Sequence, residues 1–181
     1  NTEQMKARNE SFAASFSDGD LGPLPKLSMV IVACIDARVD PTTVFGLELG
    51  DAVVMRNNGG RVTSAVVDEI TALSFLVARV TGQDAPVFHI TLMQHTKCGA
   101  QQFAVPSFQA HIKQQTGVDV SPSAITDPER DLLVDVDRLC AQHLHGSRTV
   151  SAMLYDVETG LVSEVMGPQS LASLRSDRAD T

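Results

Sequence analysis

Two runs of this chain leave little choice of fold. Met29-Val30-Ile31-Val32-Ala33 and Val87-Phe88-His89-Ile90-Thr91-Leu92-Met93 are apolar at nearly every position. A strand with one wet face alternates, whereas a strand that is apolar throughout is covered on both faces, as in parallel sheets. Between the runs, Val66, Ile70, Leu73, Val77 and Val80 recur at three- and four-residue steps. That spacing predicts a helix over 62–80 with one apolar face, stopped by Gly82. Strand, helix, strand in that order predicts an α/β fold with right-handed crossovers. Binding sites in such sheets form outside the carboxyl ends of the strands. Chemistry-bearing residues stand there: Cys34-Ile35-Asp36-Ala37-Arg38 follows the first run, and His95-Thr96-Lys97-Cys98-Gly99 follows the second.

Two thiolates and one imidazole suit Zn2+, which takes sulfur at about 2.3 Å and imidazole nitrogen at about 2.0–2.1 Å. Cys34, His95 and Cys98 as ligands leave a fourth tetrahedral position for water or substrate, which marks a catalytic site. Asp36 and Arg38 add a carboxylate and a fixed cation beside the metal. The bland alternatives are plain. A buried Cys is commonly a small packed hydrophobe, and that is the better reading of Cys140, on an apolar helical face. Asp36 with Arg38, taken alone, is a surface ion pair worth about 0–1 kcal/mol. His89, inside an apolar strand, reads as a satisfied core histidine. His111, His143 and His145 read as solvent-facing.

Cys-x-Asp-x-Arg ending one strand and His-x-x-Cys-Gly ending a later one resemble the β-class carbonic anhydrase family. Arg56-Asn57-Asn58-Gly59-Gly60 resembles that family's Arg-Asn-Ala-Gly segment. Leu154-Tyr155-Asp156-Val157-Glu158-Thr159-Gly160 resembles its late Tyr-Asp-Val-x-Thr-Gly hairpin. Four motifs in order, from about Met29 to Val165, are a far stronger signal than any one of them. The resemblance implies a mainly parallel sheet of four to five strands flanked by helices, a resident zinc, and self-association as a dimer or tetramer. It implies zinc-bound hydroxide adding to carbon dioxide, with Asp36 orienting the hydroxide and Arg38 holding Asp36 away from the metal. Gly99 and Gly59 are the expected substrate-binding positions. Val54, Phe45, Val62 and Leu92 are expected, by position only, to wall the pocket.

The chain departs from the family in two places. Lys97 replaces a commonly acidic residue, and Leu24-Pro25-Lys26-Leu27-Ser28 lacks the upstream Gln that helps many members hold bicarbonate. Asp36-Ala37-Arg38-Val39-Asp40-Pro41 and the short chain resemble a compact branch that includes carbonyl sulfide hydrolases. Carbonyl sulfide hydrolysis is therefore a second reading. A third is a zinc-stabilised binding module, closed by Asp36 or a partner's residue as fourth ligand.

The remaining expectations concern organisation. The 181 residues suggest a single zinc-dependent domain, with a helical arm over about 2–16 carrying Met5, Phe12, Ala13 and Phe16. Short elements are expected at 41–49 (helix, stopped by Gly50) and 51–55 (strand), and short helices interrupted by Pro106 over 99–115. Asp127-Pro128-Glu129 opens a helix with a cap, a first-turn proline and a first-turn acid. Its apolar face is Leu132, Val136, Leu139, Cys140 and Leu144, and Gly146 is its stop. Strands follow at 149–155 and 161–165, and a polar tail beyond Pro168 is expected to be loosely held. With 14 Lys and Arg against 22 Asp and Glu, the net charge of −8 argues against a nucleic-acid partner. No apolar run reaches the ~20 residues that span a bilayer. No signal-peptide pattern is visible, and reduced thiolate ligands imply a cytoplasmic protein.

Overall fold

The computed structural model describes residues 1–142, 144 and 146–179. The expectations for His143 and His145 lie outside the described residues. The elements run α1 Thr2–Ala14, β1 Met29–Cys34, α2 Pro41–Phe45, β2 Ala52–Asn57, α3 Ser64–Thr81, β3 Phe88–His95, α4 Pro106–Thr116, α5 Pro128–Cys140, β4 Arg148–Tyr155, β5 Val162–Ser170 and α6 Leu171–Ala179. The sheet order is β2-β1-β3-β4-β5. The first four strands are parallel and β5 is antiparallel to β4.

The period of two along each strand divides the core. Val30 and Val32 of β1, with Ile90 and Leu92 of β3 and Val150 and Ala152 of β4, point to one face. Val66, Ile70 and Val77 of α3 and Leu132, Val136 and Leu139 of α5 cover that face. Each such side chain contributes about 1.5–3 kcal/mol by leaving water. The opposite face carries Ile31, Ala33 and Met93, packed by Val39, Val44, Phe45 and Leu47 around α2. α1 has no buried residue.

Several boundaries differ from the sequence reading. α2 stops at Phe45 because Gly46, at φ 62°, reverses the chain before Leu49. β2 and β3 run on through Asn57 and His95, so those residues, like Cys34 at the end of β1, belong to strands. In α3 the buried stripe is Val66, Ile70, Ser74 and Val77. That stripe is rotated toward Ser74, which leaves Val80 52% exposed. The stretch 99–116 does hold short helices parted at Pro106, a 3-10 helix over Gly99–Ala104 and then α4, which Pro106 opens. Asp127 caps α5 as expected, accepting from the N–H groups of Glu129 and Arg130. α5 ends at Cys140, ahead of Gly146, and Leu144 is buried beyond it. The tail is the largest correction. β5 continues past Pro168 to Ser170, tolerated because the register with β4 shifts there and Pro168 falls in the bulge of an edge strand, where no ladder N–H is required. α6 then anchors through buried Leu171 and through Arg175, which donates to the carbonyls of Cys140 and Gln142.

Candidate metal centre

The parallel register sets the carboxyl ends of β1 and β3 side by side, with Ala33 opposite Met93. The loops that leave those ends bring Cys34 Sγ to 3.7 Å from Cys98 Sγ. One donor atom each from Cys34, His95 and Cys98 falls within 4.8 Å of the others, and all three residues are buried. His95 Nδ1 lies 2.9 Å from the Thr96 carbonyl. A carbonyl only accepts, so Nδ1 carries the proton and Nε2 presents a bare lone pair. That Nε2 is buried with no hydrogen-bond partner among the described residues. A buried, orphaned nitrogen beside two thiols costs free energy unless something coordinates it. Borderline-soft Zn2+ fits this donor set.

The thiols are unequal. Hydrogen bonding from Cys98, helped by the neighbouring His95 ring and then by the backbone N–H groups of Asp36 and Gly59, lowers the Cys34 pKa to about 4 against the upward push of burial. Cys98 is pushed up by the same contact with Cys34 and by burial. The contact between the two sulfurs thus favours negative charge on Cys34 over Cys98.

The neighbouring motifs build the surroundings. Arg56 Nε donates to the Cys34 carbonyl at 3.0 Å, and its Nη2 donates to the Asp36 carbonyl at 2.8 Å. Asn57 exchanges two hydrogen bonds with the Arg61 backbone, at 2.8 and 2.9 Å. These close the turn Asn58–Gly60, whose two glycines have φ of 77° and 62°. That turn is wedged under both ligand strands: a Cβ on Gly60 would lie 2.9 Å from Cys34 N and 3.0 Å from the Met93 carbonyl oxygen. The late hairpin secures the second ligand loop. Thr96 Oγ1 donates to Asp156 Oδ1 at 3.2 Å and accepts from Val157 N at 3.1 Å. Lys97, at φ 53°, pairs through Nζ with Glu158 at 2.5 Å.

Asp36 sits on a fork. Arg38 donates from Nε to Oδ1 at 3.0 Å and from Nη2 to Oδ2 at 2.7 Å, and its backbone N–H adds a bond of 3.0 Å to Oδ1. Arg38 holds the carboxyl well below the usual carboxylate range. The cavity beside the donors, about 260 Å³, is lined by Cys34, Ile35, Asp36, Asn58, Gly59, Gly99, Ala100 and Phe103. Asp36, Gly59 and Gly99 thus face it, as the sequence suggested. The expected wall does not: Leu92 and Val62 are core residues packed toward α3 and α5, and Phe45 lines a separate cavity on the sheet's other face. Val54 is absent from the lining as well. Ile35, Ala100 and Phe103 form the apolar wall instead.

Two other histidines behave as read from the sequence. His89 is satisfied by Thr149 Oγ1 at 2.7 Å and Ser151 Oγ at 2.8 Å, and His111 is exposed.

A family model for carbonic anhydrase matches residues 29–121. Beta-carbonic anhydrase 1 of Mycobacterium tuberculosis is 30% identical over 171 residues, covering 91% of this chain and 97% of that protein. The carbonic anhydrase crystal structure from Streptococcus mutans superposes with a TM-score of 0.71 at 29% identity, over 91% of this chain and 96% of that one. Carbonic anhydrase from Glaciozyma antarctica gives a TM-score of 0.65 at 28% identity, over 88% and 94%. Alignment, fold and donor set agree, and the chain belongs to the β class of the carbonic anhydrases, a family of zinc enzymes.

Proposed function

We propose that the chain hydrates carbon dioxide to bicarbonate with zinc held by Cys34, His95 and Cys98. The observation that carries this reading is the buried trio itself: a His95 ring nitrogen within 4.8 Å of both sulfurs, in a residue whose Nε2 has no hydrogen-bond partner among the described residues. Zinc, when bound, supplies a Lewis acid that makes water nucleophilic near neutral pH. Asp36 orients the attacking water by accepting its proton in a hydrogen bond, and Arg38 keeps that carboxylate ionised and aimed. Gly99 N–H, at the cavity wall, donates to the oxygen that gains charge, and Gly59 shapes the same wall. Ile35, Ala100 and Phe103 suit a neutral linear molecule that offers no charge to grip.

Stopped-flow hydration of carbon dioxide, run beside carbonyl sulfide hydrolysis on the same zinc-loaded protein, tests this. We expect the higher kcat/KM on carbon dioxide, and a higher value on carbonyl sulfide overturns the assignment. Cys34→Ser, His95→Ala and Cys98→Ser lose zinc and activity together. Asp36→Ala retains zinc and loses turnover, and wild-type turnover in that variant removes Asp36 from the mechanism.

The described surface supports self-association of this single zinc-dependent domain as a dimer or tetramer. Along α1, Met5 and Phe12 are exposed, and the ring of Phe16, just past the helix, tilts against that of Phe12 with 5.4 Å between centroids. On the α2 face of the sheet, Leu27, Met29, Ile31, Phe45, Leu47, Thr91 and Met153 line an apolar cavity of about 170 Å³. The arm of one copy covering that face of another satisfies both. Deleting residues 1–16 shifts the sedimentation coefficient to that of a monomer, and an unchanged assembly refutes the arm's role. Among the described residues no helix is long and apolar enough to cross a membrane. The reduced thiols that zinc ligation by Cys34 and Cys98 requires support a reducing, cytoplasmic setting.

A further inference from the structure

Beneath the metal centre lies a buried cluster of charges that neither the ligands nor the cavity require. Arg61 leaves the Asn58–Gly60 turn and points inward, 3% exposed. Its Nε donates to Asp135 Oδ2 at 2.7 Å and its Nη2 to Asp135 Oδ1 at 3.2 Å. Its Nη1 reaches Asp131 Oδ1 at 3.2 Å and the Ala124 carbonyl at 2.5 Å. Asp135, on α5, has no exposed surface. It also accepts from Arg138 Nη1 at 2.8 Å and from Gln94 Nε2 at 3.4 Å.

Each partner is tied to the segment that carries or supports a different ligand. The turn held by Arg61 supplies, through Gly59 N–H, a hydrogen bond to Cys34. Gln94 immediately precedes His95 on β3. Ala124 precedes Ile125, whose N–H donates at 3.2 Å to the carbonyl of Ala100, and the Ala100 N–H in turn serves Cys98. A buried ion pair adds little net stability over well-packed apolar residues of similar volume. Stability alone therefore does not account for two buried carboxylates and a buried guanidinium here. Groups just behind metal ligands orient them, and losing one typically costs about 10–100-fold in metal affinity.

We propose that the Arg61–Asp135 pair is a positioning device for the metal centre, fixing the three segments that aim Cys34, His95 and Cys98 at a common point. The proposal rests on the assignment of those three residues as the zinc ligands. Asp131 completes the clamp, since its Oδ2 also accepts from Thr126 N at 2.7 Å and Asp127 N at 3.1 Å, which ties the 124–127 segment to α5.

The test uses the full chain, reduced, with zinc affinity from chelator competition and the visible spectrum of the cobalt-substituted protein. Two variants separate positioning from bulk stability. Asp135→Asn keeps the shape and removes the charge. The double variant Arg61→Met with Asp135→Leu, carrying also Asp131→Asn so that no buried carboxylate loses its guanidinium, replaces both partners of the pair by apolar groups, which restores folding stability if the pair matters only there. We expect zinc affinity to fall 10–100-fold in both, with altered cobalt–thiolate bands, while the urea midpoint of the double variant stays near wild type. Wild-type affinity and spectrum in the folded double variant overturn the proposal. Absence of stoichiometric zinc in the wild-type protein is a different failure, because it removes the ligand assignment and the positioning role with it.

Discussion

The turn beneath the ligands makes a quantitative demand on Gly60. Its φ of 62° lies in the left-handed region, where a residue with a Cβ costs roughly 1–2 kcal/mol. A Cβ there also meets only backbone: Cys34 N at 2.9 Å, Ala33 C at 3.0 Å and the Met93 oxygen at 3.0 Å. Backbone of two central strands cannot rotate aside, so overpacking adds about 1–3 kcal/mol. Gly60→Ala should therefore lose about 2–5 kcal/mol in all. Gly82 supplies the control. Its φ is 68°, and nothing lies within 4 Å of its Cβ position, so Gly82→Ala carries the backbone term alone. The unfolded-state entropy gained by adding a Cβ is common to both and cancels in the comparison. Urea unfolding of reduced, zinc-free protein, followed by circular dichroism, removes the contribution of ligand binding. The expected difference between the variants is about 1–3 kcal/mol. If the two lose the same stability within about 0.5 kcal/mol, the close approach under Cys34 is not a constraint and the wedge argument is wrong.

Three further outcomes follow from the described contacts. Zinc added between pH 7.5 and 8 should displace about one ligand proton, mainly from Cys98, because the contact between the sulfurs lowers the Cys34 pKa and raises that of Cys98; calorimetry in buffers of different ionisation enthalpy counts it, and two protons would contradict the unequal thiols. His89 has its pKa lowered by burial, so the unfolded chain binds the extra proton, and stability present above about pH 6.5 should decline as pH falls below it. Replacing His89 with Gln should flatten that part of the curve, and an unchanged slope assigns the loss elsewhere. Leu171→Ala should cost about 2–5 kcal/mol by emptying a buried site, whereas a change under 0.5 kcal/mol would mean that α6 is not docked.

What the sequence disclosed, it disclosed through periodicity and motif. Apolar strands and one amphipathic helix suffice for a parallel sheet, and strand ends suffice to place Cys34 and His95. Three kinds of feature were hidden. Asp131 and Asp135 share a face of α5 with Leu132 and Val136, and charge on a helix usually means solvent. Only their i,i+4 spacing inside the apolar stripe, with Arg61 available elsewhere, hinted otherwise. The wall residues were hidden because strand residues such as Leu92 spend their apolar side chains on the core, while the cavity lies past the strand end and takes Ile35 and Phe103 from loops. The tail was misjudged because proline usually ends a strand, and it does so only where its N–H is needed. β5 meets β4 on one side and has no strand on the other.

Cys34 and Cys98 stand 64 residues apart in the chain, and that separation bears on how a bound ion acts during folding. Joining them closes a long loop, and a cross-link of that span restricts the unfolded ensemble by about 4 kcal/mol in the chain-entropy description. The whole α3 crossover lies inside the loop. A metal held by both sulfurs would fasten β1 to the end of β3, neighbours in space that the sequence keeps apart, so that its capture and the pairing of those central strands would reinforce each other.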